Sequence, residues 1–358
     1  MATALALPLF QPDPTPVRAP RLWTPKRVLV TRSARQFTLT NSIVERAAAL
    51  GSQIVELNND RLGRITGNDN RKAYAEAKST MALVVAPPSS FKLRPIPPSA
   101  DWQFHMAQGC PAHCQYCYLA GSLTGPPLTR VYANLDAILE NLKNYEGVGT
   151  TFECSCYTDP LALEHLTGSL AQCIRFFGNW QAPVQLRWTT KFDNVESFLT
   201  LPHHCRTRIR FSINAEPVSR NFEGGTASVP ARLTALRRVA EAGYPVGLTI
   251  APIMDVPDFE KVYSDLLGQV AAALDGIPNI DLTAELITHR FTPTSKDVLL
   301  NWYPRTPLEM NEQTRAKKRT KFGTFKYVYP SERMRYMRSH LEAAIGSILP
   351  NTKVLYWT

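Results

Sequence analysis

The chain has 358 residues, 44% of them apolar, which is enough for one large domain with smaller additions. Its formal net charge of +10 favours a polyanionic partner such as nucleic acid, and the lack of any run of roughly eighteen apolar residues excludes a transmembrane helix. The odd count of seven cysteines argues against a disulfide framework and favours a reducing cytoplasm, where clustered thiols serve metal or redox chemistry.

The first hundred residues divide into two predicted parts. Residues 1–24 are proline-rich and lack the basic start and cleavage site of a signal peptide, so we expect a flexible leader. Residues 25–100 form a small α/β domain and a linker. Strand patterns lie at 27–33, 53–58 and 81–87, and a helical pattern at 42–50 ends where Gly51 can cap it.

Strand-like and helix-like runs alternate from residue 101 to 295. The strand patterns cover 102–109, 149–156, 184–190, 207–213, 246–253 and 280–287, and the helical patterns between them cover 132–145, 163–177, 192–199, 231–243 and 259–274. Such repeats predict an α/β fold with a parallel sheet and outer helices. They number fewer than the units of a closed barrel, so we expect a partial, open (β/α)6 barrel with its site at the carboxyl ends of the strands.

Residues 296–358 form a basic C-terminal extension. The segment 314–338 carries nine Lys and Arg residues and one acid, interleaved with aromatic residues. Lysine and arginine can neutralise phosphates while aromatic rings stack on bases, which predicts DNA binding, although a solvated charge run is the alternative. The stretch KFGTFKYVY at 321–329 fits a β-hairpin with Gly323 at its turn.

The stretch QGCPAHCQYCYL at residues 108–119 carries Cys110, Cys114 and Cys117 with the spacing C-x3-C-x2-C. Three thiolates in one loop fit a [4Fe–4S] cluster that leaves one iron open to a small molecule. A zinc site would need a fourth ligand, and neither His113 nor His105 has an obvious spacing for that role. Three unliganded thiols are the remaining alternative.

This cysteine motif has an aromatic residue, Tyr116, directly before its last cysteine. Within a predicted partial barrel, it resembles the signature of the radical S-adenosylmethionine (AdoMet) superfamily. Further segments resemble the spore photoproduct lyase family in the same order along the chain, over roughly residues 75 to 358. They are AKSTMALVV (77–85), HCQYCYL (113–119), FECSCYTD (152–159), TTKF (189–192), RFSINA (210–215), AGYPVGLTIAPI (242–253), ELITHRFT (285–292) and KYVY (326–329).

The resemblance implies an enzyme, a lyase of DNA repair that reverts spore photoproduct to two thymines. In that family Cys110, Cys114 and Cys117 would hold the cluster, and AdoMet bound at the open iron would yield a 5′-deoxyadenosyl radical. That radical takes hydrogen from C6 of one thymine, and the methylene bridge between the two bases then breaks. Cys156 matches the family's hydrogen-atom donor to the resulting thymine radical, and Tyr118 and Tyr116 match its relay tyrosines.

Further residues match family positions near AdoMet. They are Thr158, Lys191 and Asn214. Lys191 can pair with a carboxylate, although it could equally be a solvated surface lysine. Cys154 is a rival donor, because residues two apart on a strand share a face. We expect Cys173 and Cys205 to be structural.

The predicted lesion-binding residues are Lys321, Phe322, Lys326 and Tyr327. Where the family has an Arg-Tyr pair, this chain has Lys321 and Phe322, which lack the guanidinium fork and the hydroxyl. Two alternatives therefore stay open: a radical AdoMet enzyme acting on another modified nucleic acid, and a non-enzymatic iron–sulfur protein that binds nucleic acid. We expect a cytoplasmic monomer that acts on double-stranded DNA, receives electrons from a flavodoxin or ferredoxin type of donor, and does not associate with membranes.

Overall fold

The computed structural model describes residues 22–63, 70–122, 127–319 and 323–358. Its strands are β1 (Arg27–Val30), β2 (Gln53–Glu56), β3 (Thr80–Val84), β4 (Arg94–Ile96), β5 (Ala100–Phe104), β6 (Ala107–Gln108), β7 (His113–Cys114), β8 (Thr129–Tyr132), β9 (Thr151–Cys154), β10 (Gln185–Thr190), β11 (Thr207–Ile213), β12 (Glu223–Gly224), β13 (Val246–Ile253), β14 (Leu282–Thr288), β15 (Ala316–Arg319), β16 (Phe325–Val328) and β17 (Lys353–Trp357). Its helices are α1 (Thr38–Ala49), α2 (Asn70–Lys78), α3 (Leu135–Leu142), α4 (Leu161–Thr167), α5 (Ser169–Asn179), α6 (Glu216–Phe222), α7 (Val229–Glu241), α8 (Phe259–Leu274), α9 (Pro293–Trp302) and α10 (Ser331–Ile348).

The main sheet is a curled half-barrel of eight strands in the order β17-β14-β13-β11-β10-β9-β5-β4. All neighbours from β5 to β17 run parallel, and β4 alone pairs antiparallel, with β5. The six predicted strands are therefore confirmed as the centre of a mixed α/β fold. The sequence pattern missed the two edge strands, β4 and β17.

Helices cover most of the crossovers between parallel strands. Helices α4 and α5 link β9 to β10, α6 and α7 link β11 to β13, and α8 links β13 to β14. The helix predicted at 192–199 is wrong, because these residues form an irregular segment and turns between β10 and β11. Its apolar residues Phe192, Val195 and Phe198 are buried, so a packed loop imitates the spacing of a helix.

A second sheet of five strands, in the order β2-β1-β3-β8-β6, lies in the N-terminal part of the fold. The predicted β-α-β unit is present as β1, α1 and β2, and Gly51 follows α1 with φ +85°. Strands β6 and β8 come from sequence beyond residue 100, so this sheet takes strands from both sides of the predicted boundary. The predicted strand 102–109 accordingly divides into β5 of the main sheet and β6 of this one.

The interior of the half-barrel contains a buried ionic triad. The Arg210 guanidinium on β11 pairs with Glu153 on β9 and, at 2.5 Å, with Glu285 on β14. Strand β11 is buried along its whole length, which shows that both of its faces are covered. One arginine can bridge strands on either side of its own because the sheet is concave.

The C-terminal part contributes both a hairpin and a strand of the main sheet. Strands β15 and β16 pair antiparallel, and Gly323, with φ +79°, precedes β16. Helix α10 then packs on α8, and β17 pairs with β14. Within the described ranges, no helix is long and apolar enough to cross a membrane.

Candidate active site

The three-cysteine loop begins immediately after β6, at a glycine that the fold requires. Gly109 has φ +80°, and a Cβ atom there would lie 2.2 Å from the Leu128 carbonyl oxygen, so any other residue would be both strained and in collision. Farther along the loop, β7 pairs antiparallel with β12, with Cys114 opposite Glu223. The loop is thus fixed at one end by close packing and in the middle by a second part of the chain.

The cysteines of this loop are half-buried and free. Burial raises the pKa of the Cys110 thiol to about 11, against the lowering effect of the Lys78 ammonium. Burial also raises the pKa of Cys114, where Lys191 opposes it, and that of Cys117, where Lys78 opposes it. The thiols keep their protons until a metal replaces them, and the two ammonium groups favour that exchange.

Lys78, at the end of α2, reaches the loop from outside the half-barrel. Its Nζ donates hydrogen bonds to the carbonyl oxygens of Cys110, at 2.5 Å, and Ala112. The residue is only 8% exposed, and its ammonium lies 5.5 Å from the centre of the Tyr74 ring. A cation is therefore held against the backbone of the cysteine loop.

An aromatic layer covers the same side of the loop. Tyr74 on α2 stacks on Trp302 of α9 with ring centres 4.8 Å apart, and its hydroxyl bonds to that of Tyr303. The Tyr74 hydroxyl also lies 3.1 Å from Nδ1 of His113. His113 thus contacts a tyrosine of the same aromatic layer. Among the described residues, no group of three or more His, Cys, Asp or Glu side chains is arranged to hold a single metal ion.

Lys191 directly follows β10 and lies in a buried charge network. Its Nζ bonds to Ser212 Oγ and lies 3.7 Å from Glu223 Oε1, and its side chain is 15% exposed. The interpretation of Lys191 as a solvated surface lysine is therefore wrong. Glu223 Oε2 pairs at 2.6 Å with Arg232 Nη2. Burial would raise the pKa of Glu223, but Lys191 and Arg232 outweigh it and the pKa is lowered.

Tyr116 belongs to this network. Its hydroxyl donates a hydrogen bond to Glu223 Oε1, and the Lys191 ammonium lies 5.7 Å from the centre of its ring. Burial, followed by the Glu223 carboxylate, raises the pKa of Tyr116, so the phenol retains its hydrogen at neutral pH. Glu223 therefore holds both a predicted relay tyrosine and a predicted AdoMet-binding lysine.

Tyr118, one residue beyond the last cysteine, contacts Cys156. Its hydroxyl donates a hydrogen bond to the carbonyl oxygen of Cys156. Burial, followed by the Glu153 carboxyl group, raises the pKa of the Cys156 thiol. The thiol consequently keeps its S–H bond at neutral pH, beside a phenol attached to the cysteine loop.

The other three cysteines, Cys154, Cys173 and Cys205, lie outside the three-cysteine loop. Cys154 is buried, and its Sγ donates to Ser155 Oγ at 3.4 Å. Ser155 has φ +57° and ends β9, so the strand alternation that predicted a common face for Cys154 and Cys156 stops between them. Cys173 is buried in α5, and the exposed Cys205 lies on a loop with φ +56°.

Thr158 and Asn214 differ in how many hydrogen bonds their side chains make within the protein. Thr158 Oγ1 is buried and has no hydrogen-bond partner among the described residues, which is unusual for a buried hydroxyl unless a ligand completes it. The Asn214 side chain already bonds to Pro252 O at 2.7 Å, Ala215 N at 2.9 Å and the Tyr263 hydroxyl at 3.1 Å. Its contact with a cofactor stays a prediction.

The end of β14 supports the hairpin rather than the site. Glu285 pairs with Arg210 and not with Arg290, whose guanidinium lies 3.1 Å from Thr358 Oγ1. His289 is buried and lies 3.3 Å from Arg315 Nη2. Glu285 and Arg290 therefore do not pair with each other.

Two of the predicted lesion-binding residues, Lys326 and Tyr327, lie on the described strand β16 of the hairpin. The Tyr327 ring stacks on Phe291 with centres 5.3 Å apart, so it packs against the fold. Lys326 pairs across the hairpin with Lys318. The Lys317 ammonium lies 4.3 Å from the ring centre of Phe325, which is 44% exposed. Lys321 and Phe322 lie outside the described residues.

Sequence patterns missed Glu223 and Lys78, which both contact the cysteine loop. Glu223 lies more than a hundred residues after the motif, and Lys78 lies thirty-two residues before Cys110 at a helix end where lysines are common. Periodicity gives no sign of either contact. The only sequence signal was the resemblance of the segment 77–85, which contains Lys78 without assigning it a role.

The family model and the curated relatives that match this chain carry the same description. A family model described as spore photoproduct lyase matches residues 23–358. The proteins named spore photoproduct lyase from Geobacillus sp. (strain Y412MC61) and Bacillus subtilis (strain 168) are each 36% identical to this chain over 341 residues, covering 94% of this chain and 99% of the relative.

Solved structures agree over the same length. A spore photoproduct lyase complexed with dinucleoside spore photoproduct has a TM-score of 0.89 and 36% identity, covering 94% of this chain and 99% of that one. A mutant of the lyase with bound AdoMet and dinucleoside spore photoproduct has a TM-score of 0.89 and 35% identity with the same coverage.

Proposed function

The chain belongs to the spore photoproduct lyase family, and from that premise we propose that it is a radical AdoMet lyase that reverts spore photoproduct in DNA to two thymines. The observation that carries the mechanism is the hydrogen bond from Tyr118 to the Cys156 carbonyl, which joins the predicted donor to the cysteine loop. Three thiols, two nearby ammonium groups and the buried Thr158 hydroxyl, which has no hydrogen-bond partner in the described part of the chain, fit an anionic metal cluster and an amino-acid ligand.

The cofactors in this proposal are a [4Fe–4S] cluster and AdoMet. Cys110, Cys114 and Cys117 would hold the cluster, and Lys191, Thr158 and Asn214 would lie against AdoMet. When bound, the two together supply a 5′-deoxyadenosyl radical that starts the reaction. The Lys191 ammonium offers a partner for the AdoMet carboxylate, since Glu223 neutralises only one of the two cations beside it.

Cys156 is the proposed hydrogen-atom donor. Its S–H bond breaks as a C–H bond forms on the thymine radical, which leaves a thiyl radical on the protein. Tyr118 then gives its phenolic hydrogen atom to that sulfur, and Tyr116 continues the relay toward the cofactor. The raised pKa values of Cys156 and Tyr116 favour this role, because an ionised thiol or phenol has no hydrogen atom to donate.

The hairpin of β15 and β16 is the proposed contact with double-stranded DNA. It presents the basic residues Lys317, Lys318, Arg319 and Lys326 together with the exposed ring of Phe325. Cations would neutralise phosphates, and an exposed ring can stack where the damaged step has opened. Lys321 and Phe322, which lie between β15 and β16 in the sequence, are proposed to contact the lesion. We also propose a monomer that receives electrons from a flavodoxin or ferredoxin type of donor.

The test is an anaerobic assay of the reconstituted enzyme. The protein is incubated with AdoMet, dithionite and DNA that contains spore photoproduct, and thymine and 5′-deoxyadenosine are measured by mass spectrometry. Recovered thymine is the expected result. Deoxyadenosine without thymine would point to another modified nucleic acid, the alternative that the Lys321-Phe322 pair favours. Neither product from a protein with a full cluster would point to a nucleic-acid-binding protein.

A further inference from the structure

We propose that Lys78 is the counter-ion of the iron–sulfur cluster and that its charge raises the cluster's reduction potential. This inference rests on the proposed function, because it requires a cluster on the three-cysteine loop. It assigns a part in cofactor tuning to a residue on α2, outside the half-barrel that carries the proposed chemistry.

The Lys78 ammonium lies against the backbone of the three-cysteine loop. Lys78 is 8% exposed, and its Nζ donates to the carbonyl oxygens of Cys110, at 2.5 Å, and Ala112. Both carbonyls belong to the loop, and one belongs to a proposed cluster ligand. Lys78, the last residue of α2, therefore contacts the backbone of the loop that carries the three thiols.

The buried Lys78 ammonium has no carboxylate partner in the described part of the chain. Across the described ranges, no Asp or Glu oxygen lies within 4 Å of the Lys78 ammonium, although other buried cations such as Arg210 and Arg232 have carboxylate partners. A buried ammonium without a counter-charge is costly. Carbonyl dipoles and the Tyr74 ring solvate it in part but carry no net charge.

Cluster thiolates supply the missing charge. A [4Fe–4S] core bound by three thiolates is anionic, and reduction adds one more negative charge. A nearby cation stabilises the reduced state more than the oxidised state, so its presence raises the reduction potential. Lys78 would thereby make electron transfer from the donor more favourable.

A purely structural lysine would behave differently. Two hydrogen bonds to loop carbonyls would order the loop equally with or without the cluster. A counter-ion instead stabilises the cluster-loaded protein more than the cluster-free protein, because the thiolates are charged only when they bind the cluster. The two roles are separated by comparing the cluster-free and cluster-loaded forms of the same variant.

The experiment compares Lys78→Gln, which keeps N–H donors without the charge, with Lys78→Arg, which keeps the charge. Arg27→Gln is the matched control, because Arg27 pairs with Glu76 on the same helix but does not contact the loop. Iron content, the reduction potential from a redox titration followed by electron paramagnetic resonance, and the melting temperatures of both forms are measured in the full-length protein.

We expect a more negative reduction potential in Lys78→Gln and a near wild-type potential in Lys78→Arg and Arg27→Gln. We also expect Lys78→Gln to lower the melting temperature of the loaded form more than that of the cluster-free form. Equal potentials in Lys78→Gln and wild type, equal losses in both forms, or failure of cluster-free Lys78→Gln to fold would each overturn the inference. A wild-type protein that binds no iron would overturn the proposed function as well.

Discussion

The backbone at Ser155 separates the surroundings of Cys156, the proposed donor, from those of Cys154. Ser155 has φ +57°, a region that residues other than glycine seldom occupy. This conformation ends β9 after Cys154 and leaves Cys156 half-buried at the strand end, where its carbonyl meets Tyr118. Strained residues of this kind are concentrated at functional sites. The positive φ of Ser155 thus separates the proposed donor Cys156 from Cys154.

Replacing Cys156 with Ala tests the donor directly. Thymine recovery should fall by about tenfold or more, equivalent to at least about 1.4 kcal/mol of activation free energy, while 5′-deoxyadenosine still forms. The measurement is product analysis of single-turnover reactions. Cys154→Ala is the control, with recovery near that of wild type. Undiminished recovery in Cys156→Ala would assign the donor to another residue.

Glu223 offers a second test at the same scale. Glu223→Gln keeps the shape and a hydrogen-bond acceptor for Tyr116 but leaves Arg232 and Lys191 without their buried carboxylate. Breaking such a pair should lower the free energy of unfolding by about 3 kcal/mol or more. Urea denaturation measures this loss.

The exposed pair Arg220–Glu216 provides the control for that variant. Glu216→Gln should change the free energy of unfolding by less than about 0.5 kcal/mol, because solvent screens surface pairs. Similar losses in Glu223→Gln and Glu216→Gln would show that Glu223 does not organise the site.

The cysteine loop could be predicted from the sequence because its three cysteines lie close together along the chain. Three thiols within eight residues can be recognised without a fold. Glu223 and Lys78 could not be found in this way, since each becomes part of the site only when a distant strand or helix is packed against the loop. Sequence reasoning thus finds the ligands of a site more readily than the residues that hold them.

At the scale of elements, the hairpin is anchored to the half-barrel through Arg315. The guanidinium carbon of Arg315 lies 3.7 Å from the centre of the Tyr329 ring, and Nη2 pairs at 2.6 Å with Glu309. Nη2 also lies 3.3 Å from Nδ1 of His289, which follows β14. The base of the proposed DNA-binding hairpin therefore depends on His289 staying neutral.

This contact predicts a dependence on pH. Burial and then Arg315 lower the pKa of His289 from 6.5 to about 3. The unfolded chain therefore binds a proton that the folded chain does not, and stability should be lost as the pH falls from about 6.5 toward 3, by an amount on the order of a few kcal/mol. Thermal unfolding at a series of pH values measures the loss.

The comparison variant is His289→Gln, which cannot titrate in this range. Its melting temperature should depend less steeply on pH over the same window. If wild type and His289→Gln gave parallel profiles, the acid sensitivity would belong to other buried histidines such as His105, whose pKa burial lowers to about 4.

Strand boundaries in the main sheet were predictable where both faces of a strand are covered. The predicted ranges 207–213 and 246–253 coincide with β11 and β13, which are buried over nearly their whole length. The sequence pattern did not divide the range 102–109 into β5 and β6. The chain passes there from the main sheet to the five-stranded sheet without a break in its apolar pattern. Edge strands such as β17 were missed because half-buried residues give weak periodicity.

At the scale of the whole molecule, the Arg210 triad connects strands across the half-barrel. Arg210→Met would leave the carboxylates of Glu153 and Glu285 buried and unpaired, which should cost about 3–5 kcal/mol of stability. Urea denaturation is again the measurement. Replacing all three residues with apolar ones should restore much of the loss, because the unpaired charges disappear.

The surface arginine Arg338, which pairs with Glu342 within α10, is the matched control for this prediction. Arg338→Met should shift the denaturation midpoint little. If Arg210→Met also shifted the midpoint little, water would have to reach the carboxylates of Glu153 and Glu285, and the triad would not be shielded from solvent.

The layer that covers the cysteine loop has a consequence for engineering. The motif spans eight residues, but its surroundings come from α2, from strand β12, which pairs with β7 inside the motif, and from the aromatic residues at the end of α9. A graft of the motif alone onto another scaffold would leave behind its cation, its pairing strand and its shield from solvent. Such a transplant should therefore incorporate iron poorly and lose it readily in air, so the smallest portable unit of this site is close to the whole fold.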